Sequence, residues 1–168
     1  SDLPAIDGSN VVLPDASSGP VYETPPLEEN LYFGGLPRLH VNVNTATVGG
    51  QLYALLEDCN EGVCIHIGHA IMDLRYHAGG SDVQTWNPLT DEITALMEFF
   101  PMDVEVEAGH TIRLSLRSTG EDYLPSAASS ISTIIDSGST LQLDTFDPST
   151  REYYQTVQCT AQVCLTNA

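Results

Sequence analysis

The stretch from Thr111 to Arg117 reads Thr-Ile-Arg-Leu-Ser-Leu-Arg, and its strict alternation is the clearest pointer to the fold class. Side chains of a β-strand point alternately to its two faces. Ile112, Leu114 and Leu116 would therefore lie on one face, while the arginines and the serine lie on the other. This pattern predicts a strand that is buried on one side only.

Short strand-like segments of this kind recur along the chain. They cover about Leu39 to Asn44, Gln51 to Asp58, Val63 to His77, Ile93 to Val106 with an interruption at Pro101, Ser130 to Ile135, Thr140 to Phe146 and Glu152 to Cys164. No window combines the period of an amphipathic helix with helix caps. About eight short strands at this spacing predict an all-β fold, an antiparallel jelly-roll β-sandwich.

The chain has 168 residues, which is the size of one compact domain. Residues 1–26 are rich in Pro, Gly, Ser and Asp and lack periodicity, so they are expected to form a linker or an extended arm. Residues 27–168 are expected to form a single sandwich domain. Because the chain begins with Ser1 and shows no signal-like segment, we expect it to be a piece of a longer protein.

The charge is strongly acidic, with 23 acidic residues, five arginines, no lysine and a formal net charge of −18. No basic stripe exists to neutralise phosphates, which argues against nucleic acid and anionic membranes as partners. No apolar run approaches the roughly 20 residues that span a bilayer. The acidity is typical of a salt-adapted surface or of an ordinary secreted protein, and the composition favours neither.

Three acidic clusters could hold a structural Ca²⁺, although carboxylates also cluster by chance at this composition. The clusters are Glu57-Asp58, Asp103-Glu105-Glu107 and Glu121-Asp122.

The four cysteines form two C-x4-C pairs, Cys59 with Cys64 and Cys159 with Cys164. Four cysteines allow three disulfide connectivities. If each pair closes a turn between adjacent strands, its Cα atoms face each other within disulfide reach, so local pairing is favoured. A zinc site is the weaker alternative, because structural sites usually space cysteines by roughly two to four residues. Disulfides indicate an extracellular or cell-surface location.

His66 and His69 invite comparison with a metal or catalytic site. An odd separation along a regular strand places two side chains on opposite faces. We therefore expect these two histidines to lie apart, as ordinary structural or surface residues.

Residues 134–140, Ile-Ile-Asp-Ser-Gly-Ser-Thr, resemble the motif that carries the catalytic aspartate of aspartic peptidases. Such enzymes need two carboxylates that share a proton, so this chain would have to supply Asp136 twice, in a homodimer. The peptidase lobe also needs a downstream glycine, and no glycine follows Gly138. A turn between strands is the favoured interpretation.

The sequence also lacks the Gly-x-Ser-x-Gly pattern of a serine nucleophile elbow. Its single Gly-x-Ser, at Gly79 to Ser81, lacks the second glycine.

Four aromatic residues are candidate ligand contacts: Trp86, Tyr123, Tyr153 and Tyr154. Together on one accessible face they would form the kind of aromatic platform on which sugar rings stack. Trp86, the sole tryptophan, lies in a predicted loop, where filling one end of the sandwich is the favoured alternative to sugar stacking.

Several segments keep the order seen in a known family. They are Thr24–Glu29, Gly35–Val43, Gln51–Asp58, Gly68–Tyr76, Phe99–Asp103 and Ala108–Leu116. The most specific is the Gly-His-x-Ile-Arg-Leu element that starts at Gly109. Over about residues 24–146 the chain resembles the C-terminal domain of X-prolyl dipeptidyl-peptidases, a domain shared with cocaine esterase and α-amino-acid ester hydrolases.

The resemblance implies a jelly-roll β-sandwich similar to galactose-binding domains, in agreement with the strand pattern. In those enzymes the catalytic triad lies in a separate α/β-hydrolase domain, so no catalytic residue is carried over and His110 is expected to be structural. The extreme acidity, the C-x4-C pairs and the tail after Phe146 depart from the family pattern.

The leading hypothesis is a non-catalytic accessory domain of a secreted X-prolyl-peptidase-type serine hydrolase. Its partner would be the hydrolase domain of the parent chain, whose substrate cleft it would cover or shape, or whose assembly it would mediate. The alternative is a module that binds extracellular polysaccharide or cell-surface glycan.

Overall fold

The computed structural model describes residues 11–12, 19–45, 48–120, 123, 133–135, 138–149 and 152–160, and of these it describes only the backbone for 11–12, 133–135 and 152–160. The described residues form eleven strands and one 3₁₀ turn, and every strand pairing is antiparallel. The strands are β1 (Val11–Val12), β2 (Val21–Glu23), β3 (Leu31–Thr45), β4 (Gln51–Asn60), β5 (Val63–Asp73), β6 (Ile93–Glu98), β7 (Met102–Val106), β8 (Thr111–Arg117), β9 (Thr133–Ile135), β10 (Thr140–Asp147) and β11 (Glu152–Thr160). The all-β antiparallel fold is confirmed.

The strands are divided between two sheets. The larger sheet has the order β1-β9-β3-β10-β11, with β6 and β7 also paired to β3, and the smaller sheet has the order β2-β8-β4-β5. Strand β3 is long because it pairs first with β7 and then with β6, and the break between these two partners falls at Pro101. Opposite this break, Gly35 adopts a φ of 82°, a conformation that glycine reaches without steric cost.

The two sheets pack face to face as a sandwich around one apolar core. Strands β3, β4 and β8 each contribute three alternating side chains, namely Leu39, Val41 and Val43, then Leu52, Ala54 and Leu56, then Ile112, Leu114 and Leu116. The alternation read from the sequence therefore identifies the core-facing side chains correctly. Strand β8 is nevertheless not buried on one side only, because Ser115 on its other face is 2% exposed. No helix in the described part of the chain is long and apolar enough to cross a membrane.

The segment predicted to run as one strand from Val63 to His77 ends earlier than expected. Strand β5 stops at Asp73, and a 3₁₀ turn follows over Leu74–Tyr76. The Asp73 carboxylate accepts a hydrogen bond from the backbone N–H of Arg75 at 2.9 Å, which caps the turn. The side-chain hydrogen bond from Arg75 is the main cause that lowers the pKa of Asp73.

Strand β2 lies within the segment expected to be an arm or a linker. It pairs with β8, and on the face away from the core the Glu23 carboxylate binds two side chains of that strand. The Thr111 hydroxyl donates to Glu23 at 2.6 Å, and the Arg113 guanidinium forms an ion pair with it at 3.0 Å. The hydrogen bond from Thr111 and the positive charge of Arg113 lower the pKa of Glu23, against the opposing effect of burial.

The lowered pKa makes the contact between β2 and β8 sensitive to acid. Ionised Glu23 stabilises the folded state above the ordinary carboxyl pKa, and this contribution is lost as the pH falls through the lower folded-state pKa. Glu23→Gln should therefore lower the free energy of unfolding near pH 7, and the deficit should shrink near pH 3. Urea unfolding at both pH values measures it, with the exposed Glu28→Gln as the control. A deficit that is equal at both pH values would contradict this prediction.

Candidate functional site

Strands β4 and β5 form a hairpin whose turn is closed by a disulfide. Asn60 pairs with Val63, so Glu61 and Gly62 make a two-residue turn with φ values of 49° and 84°, as a type I′ turn requires. In the next pair of the ladder, Cys59 and Cys64 face each other with their Cα atoms 4.0 Å apart. The predicted local disulfide Cys59–Cys64 is confirmed. Of the second pair, Cys159 is described only by its backbone and Cys164 lies outside the described residues, so that pairing stays a prediction.

A β-bulge in β5 overturns the expectation for the two histidines. Leu56 pairs with Gly68 and Glu57 pairs with His66, so Ile67 has no partner across the ladder. An extra residue in one strand shifts the alternation by one position. Both histidines consequently lie on the outer face of the smaller sheet, where Nε2 of His66 is 3.3 Å from Nδ1 of His69. The expectation of opposite faces was wrong.

The sequence carries one signal for this bulge, the glycine at position 68. Glycine inside a strand pattern often marks a bulge or a close approach of another chain segment. The Gly68 position faces the core, and a Cβ there would come 2.6 Å from Cε of Met102. The bulge therefore places a glycine where the two sheets approach closely and turns His66 outward.

His69 lies at the centre of a group of rings on this outer face. Its ring stacks on Tyr53 at 5.6 Å between centroids and meets Phe100 and Tyr123 edge-on at 5.5 and 5.7 Å. Nε2 of His69 lies 3.0 Å from the Tyr123 hydroxyl. Tyr53 is only 5% exposed, whereas Phe100 is 62% exposed. We refer to Tyr53, His66, His69, Phe100 and Tyr123 as the histidine–aromatic cluster.

Charged side chains adjoin this cluster on the same outer face. In the ladder Glu57 lies between His66 of β5 and Arg113 of β8, and Arg113 in turn lies beside Glu23 of β2. The outer face thus carries a row of side chains in which two carboxylates alternate with an arginine and a histidine. The order across the sheet is Glu23, Arg113, Glu57 and His66.

Trp86 fills the core instead of the surface. It is 9% exposed, its indole N–H donates to the Thr45 hydroxyl at 3.0 Å, and His77 packs edge-on against its ring at 5.5 Å. Its burial supports the core-filling interpretation over sugar stacking. Of the other aromatic candidates, Tyr123 belongs to the histidine–aromatic cluster, while Tyr153 and Tyr154 lie in β11, whose side chains are outside the described part.

His110 connects the hairpin to the start of β8. Its Nδ1–H donates to the Asp58 carboxylate at 2.8 Å, and its Nε2 accepts from the Asn60 amide at 3.0 Å. The ring joins two side chains of β4 to the loop before β8, which is the structural role expected for this residue.

The part of the chain that the structure describes offers no ligand set for the calcium hypothesis. Among the described residues, no group of three or more His, Cys, Asp or Glu side chains is arranged to hold a metal ion. Glu105 instead accepts hydrogen bonds from Asn30 and Tyr32 at 2.8 and 2.7 Å. Asp136, the residue of the peptidase hypothesis, and the Glu121-Asp122 pair lie outside the described residues.

Solved structures with the same fold come from hydrolases. A selenomethionine-labelled α-amino acid ester hydrolase aligns with a TM-score of 0.65 at 15% identity over 75% of this chain and 25% of its own. A CocE/NonD family hydrolase from Staphylococcus aureus aligns with a TM-score of 0.64 at 10% identity, over 87% of this chain and 34% of its own. An aminopeptidase from a marine sediment Thaumarchaeota archaeon aligns with a TM-score of 0.58 at 16% identity, over 69% of this chain and 23% of its own. At these identities the likeness concerns the fold, and this chain spans about a quarter to a third of each neighbour.

The sequence itself is matched more specifically. No curated protein matches it. Residues 1–161 match the family described as the X-Pro dipeptidyl-peptidase C-terminal non-catalytic domain. The matched range includes residues 1–26, which were expected to form an arm or a linker. Because the family is non-catalytic, the hypothesis of an aspartic peptidase that uses Asp136 has no support. The chain therefore belongs to the family of X-Pro dipeptidyl-peptidase C-terminal non-catalytic domains.

Proposed function

We propose that this domain packs against the catalytic domain of a secreted or cell-surface serine hydrolase and shapes its substrate cleft. Membership of a non-catalytic C-terminal family carries the proposal. The chain spans 23% to 36% of the aligned hydrolase chains, so most of such a chain is left for a catalytic domain. The Cys59–Cys64 disulfide supports an oxidising compartment.

The contact surface we propose is the tip of the β4–β5 hairpin. Val63 and Ile65 are 69% and 66% exposed, and because they are two residues apart in one strand they share a face. That face is continuous with the core side, since the bulge lies beyond Ile65 and His66 points outward. The tip therefore extends past the core and presents two adjacent apolar side chains. Among the described strands β5 is the last in its sheet, so its outer edge is a place where a partner could pair with the backbone.

Assays of the chain with and without the rest of its parent test this proposal. The chain alone should not hydrolyse X-prolyl amides or α-amino-acid esters. Added to the separately expressed catalytic domain, it should form a 1:1 complex in size-exclusion chromatography and raise kcat/KM. The double variant Val63→Asp, Ile65→Asp should bind at least about tenfold more weakly, because two charges would be buried in the contact.

The control is Leu89→Asp, which also places a charge on an exposed apolar residue, but in a turn outside the β4–β5 hairpin. This variant should form the complex as the unaltered chain does. Failure of the unaltered chain to bind the catalytic domain, or equal binding by the double variant, would refute the proposed contact.

Carbohydrate binding is a second candidate, favoured by the exposed ring of Phe100 beside His69 and Tyr123. An exposed aromatic face next to hydrogen-bonding groups is the arrangement that holds sugar rings. Calorimetric titration with neutral polysaccharides should then show saturable binding that Phe100→Ala abolishes and Leu89→Ala preserves. No saturable binding to any polysaccharide would count against this candidate and leave the first one unaffected.

A further inference from the structure

We propose that His66 and His69 form a two-histidine binding site for a divalent transition-metal ion such as Cu²⁺, Ni²⁺ or Zn²⁺. The inference is independent of the proposed contact with a catalytic domain, because it rests on a different face of the hairpin. It follows from the bulge at Ile67, which brings together two imidazoles that a regular strand would keep apart.

The separation of the two ring nitrogens is that of two ligands on one ion. Histidine nitrogens lie about 2.0–2.1 Å from tetrahedral zinc, and two such ligands are therefore about 3.3–3.4 Å apart. Nε2 of His66 and Nδ1 of His69 are 3.3 Å apart. These two atoms are within hydrogen-bond distance of each other, so the ion would take the place of the shared proton, and the exposed His66 ring would turn to aim its lone pair at the ion.

The contact with Tyr123 can fix the His69 tautomer that a metal needs. Its other nitrogen, Nε2, lies 3.0 Å from the Tyr123 hydroxyl. When Nε2–H donates to this oxygen, the proton is fixed there and Nδ1 keeps its lone pair for a metal. Stacking on Tyr53 and edge contacts with Phe100 keep the ring from turning away. His69 is thus oriented before an ion arrives, while His66 remains accessible from solvent.

Charge and ligand chemistry define the class of ion. Glu57 lies directly opposite His66 in the ladder, and the chain carries a net charge of −18, so a cation is favoured on this face. Imidazole suits Cu²⁺, Ni²⁺ and Zn²⁺, whereas Ca²⁺ and Mg²⁺ require oxygen ligands. Since no third His, Cys, Asp or Glu completes a cluster among the described residues, water would occupy the remaining positions. Copper should bind most tightly, as the usual affinity order for divalent ions predicts.

Titration of the chelator-treated chain with Zn²⁺ or Ni²⁺, in excess Ca²⁺ to saturate the acidic surface, tests the site. One equivalent should bind, and the imidazole NMR signals of His66 and His69 should shift while those of His40 do not. His66→Ala and His69→Ala should each weaken binding at least about tenfold, because one of two ligands is lost. Tyr123→Phe should weaken it about tenfold, the usual effect of removing a partner that orients a ligand.

His40→Ala provides the matched control, because His40 is exposed on β3 in the other sheet. This variant should bind the ion as the unaltered chain does. His66 is itself exposed, so the fold should survive its replacement, and thermal unfolding of each variant without metal verifies this. Absence of one-equivalent binding by the unaltered chain, or unchanged binding by folded His66→Ala, would overturn the proposal.

Discussion

Replacement of Trp86 by alanine should lower the free energy of unfolding by about 3–5 kcal/mol, the range for removing a large buried aromatic side chain. The indole is 9% exposed and belongs to the core shared by the two sheets. Its loss leaves a cavity and removes the hydrogen bond that the indole N–H donates to the buried Thr45 hydroxyl. Urea unfolding followed by circular dichroism measures the effect, because the variant contains no tryptophan to report by fluorescence.

Phe100→Ala is the matched control for this effect. It also removes an aromatic ring, but that ring is 62% exposed and lies outside the core cluster. Its loss should cost less than about 1 kcal/mol, as is usual for surface substitutions. If Trp86→Ala were no more destabilising than Phe100→Ala, Trp86 would not have the core role assigned to it.

Gly120→Ala should destabilise the fold by about 3 kcal/mol, at the upper end of what inserting one methyl group into a packed region costs. A Cβ at this position would lie 2.5 Å from Cζ and 2.8 Å from Cδ2 of the Tyr53 ring. That ring is 5% exposed and is packed against His69 and Tyr123. A rigid ring held in this way cannot yield without moving the histidine–aromatic cluster. Thermal and urea unfolding of the variant measure the cost.

Gly68→Ala makes the same chemical change against a flexible neighbour. Its Cβ would come 2.6 Å from Cε of Met102, which is the far end of an adaptable side chain. Rotation of the methionine should limit the cost to about 1 kcal/mol. Equal destabilisation by both alanine variants would mean that Tyr53 yields as easily as Met102, which would refute the rigid packing of the cluster.

A large part of the fold follows from local sequence patterns. Apolar residues at every second position of 39–43 and 111–117 predicted two half-buried strands, and both bury those side chains in the core. The C-x4-C spacing between two strand-like segments predicted the hairpin and its disulfide. These predictions hold because side-chain alternation and turn conformation are properties of short backbone segments.

The candidate site was less accessible to sequence reasoning. The parity argument separated His66 from His69, because it assumed a regular strand, and one unpaired residue at position 67 reverses its conclusion. The sequence made Trp86 a candidate ligand contact while favouring a core-filling role, and its contacts with Thr45 and His77 decide for the core. A pattern of residue types does not show which neighbours will cover a loop.

The sequence by itself determined the all-β class, the buried faces of the strands, the Cys59–Cys64 hairpin and the resemblance to a non-catalytic hydrolase domain. The tertiary structure alone decided that residues 21–23 add a strand to the smaller sheet, that β3 serves two successive partners, and that a bulge turns His66 toward His69. The physical reason is the range of the interactions. Alternation is set within a few residues of backbone, whereas strand pairing and register depend on contacts between segments far apart in the chain.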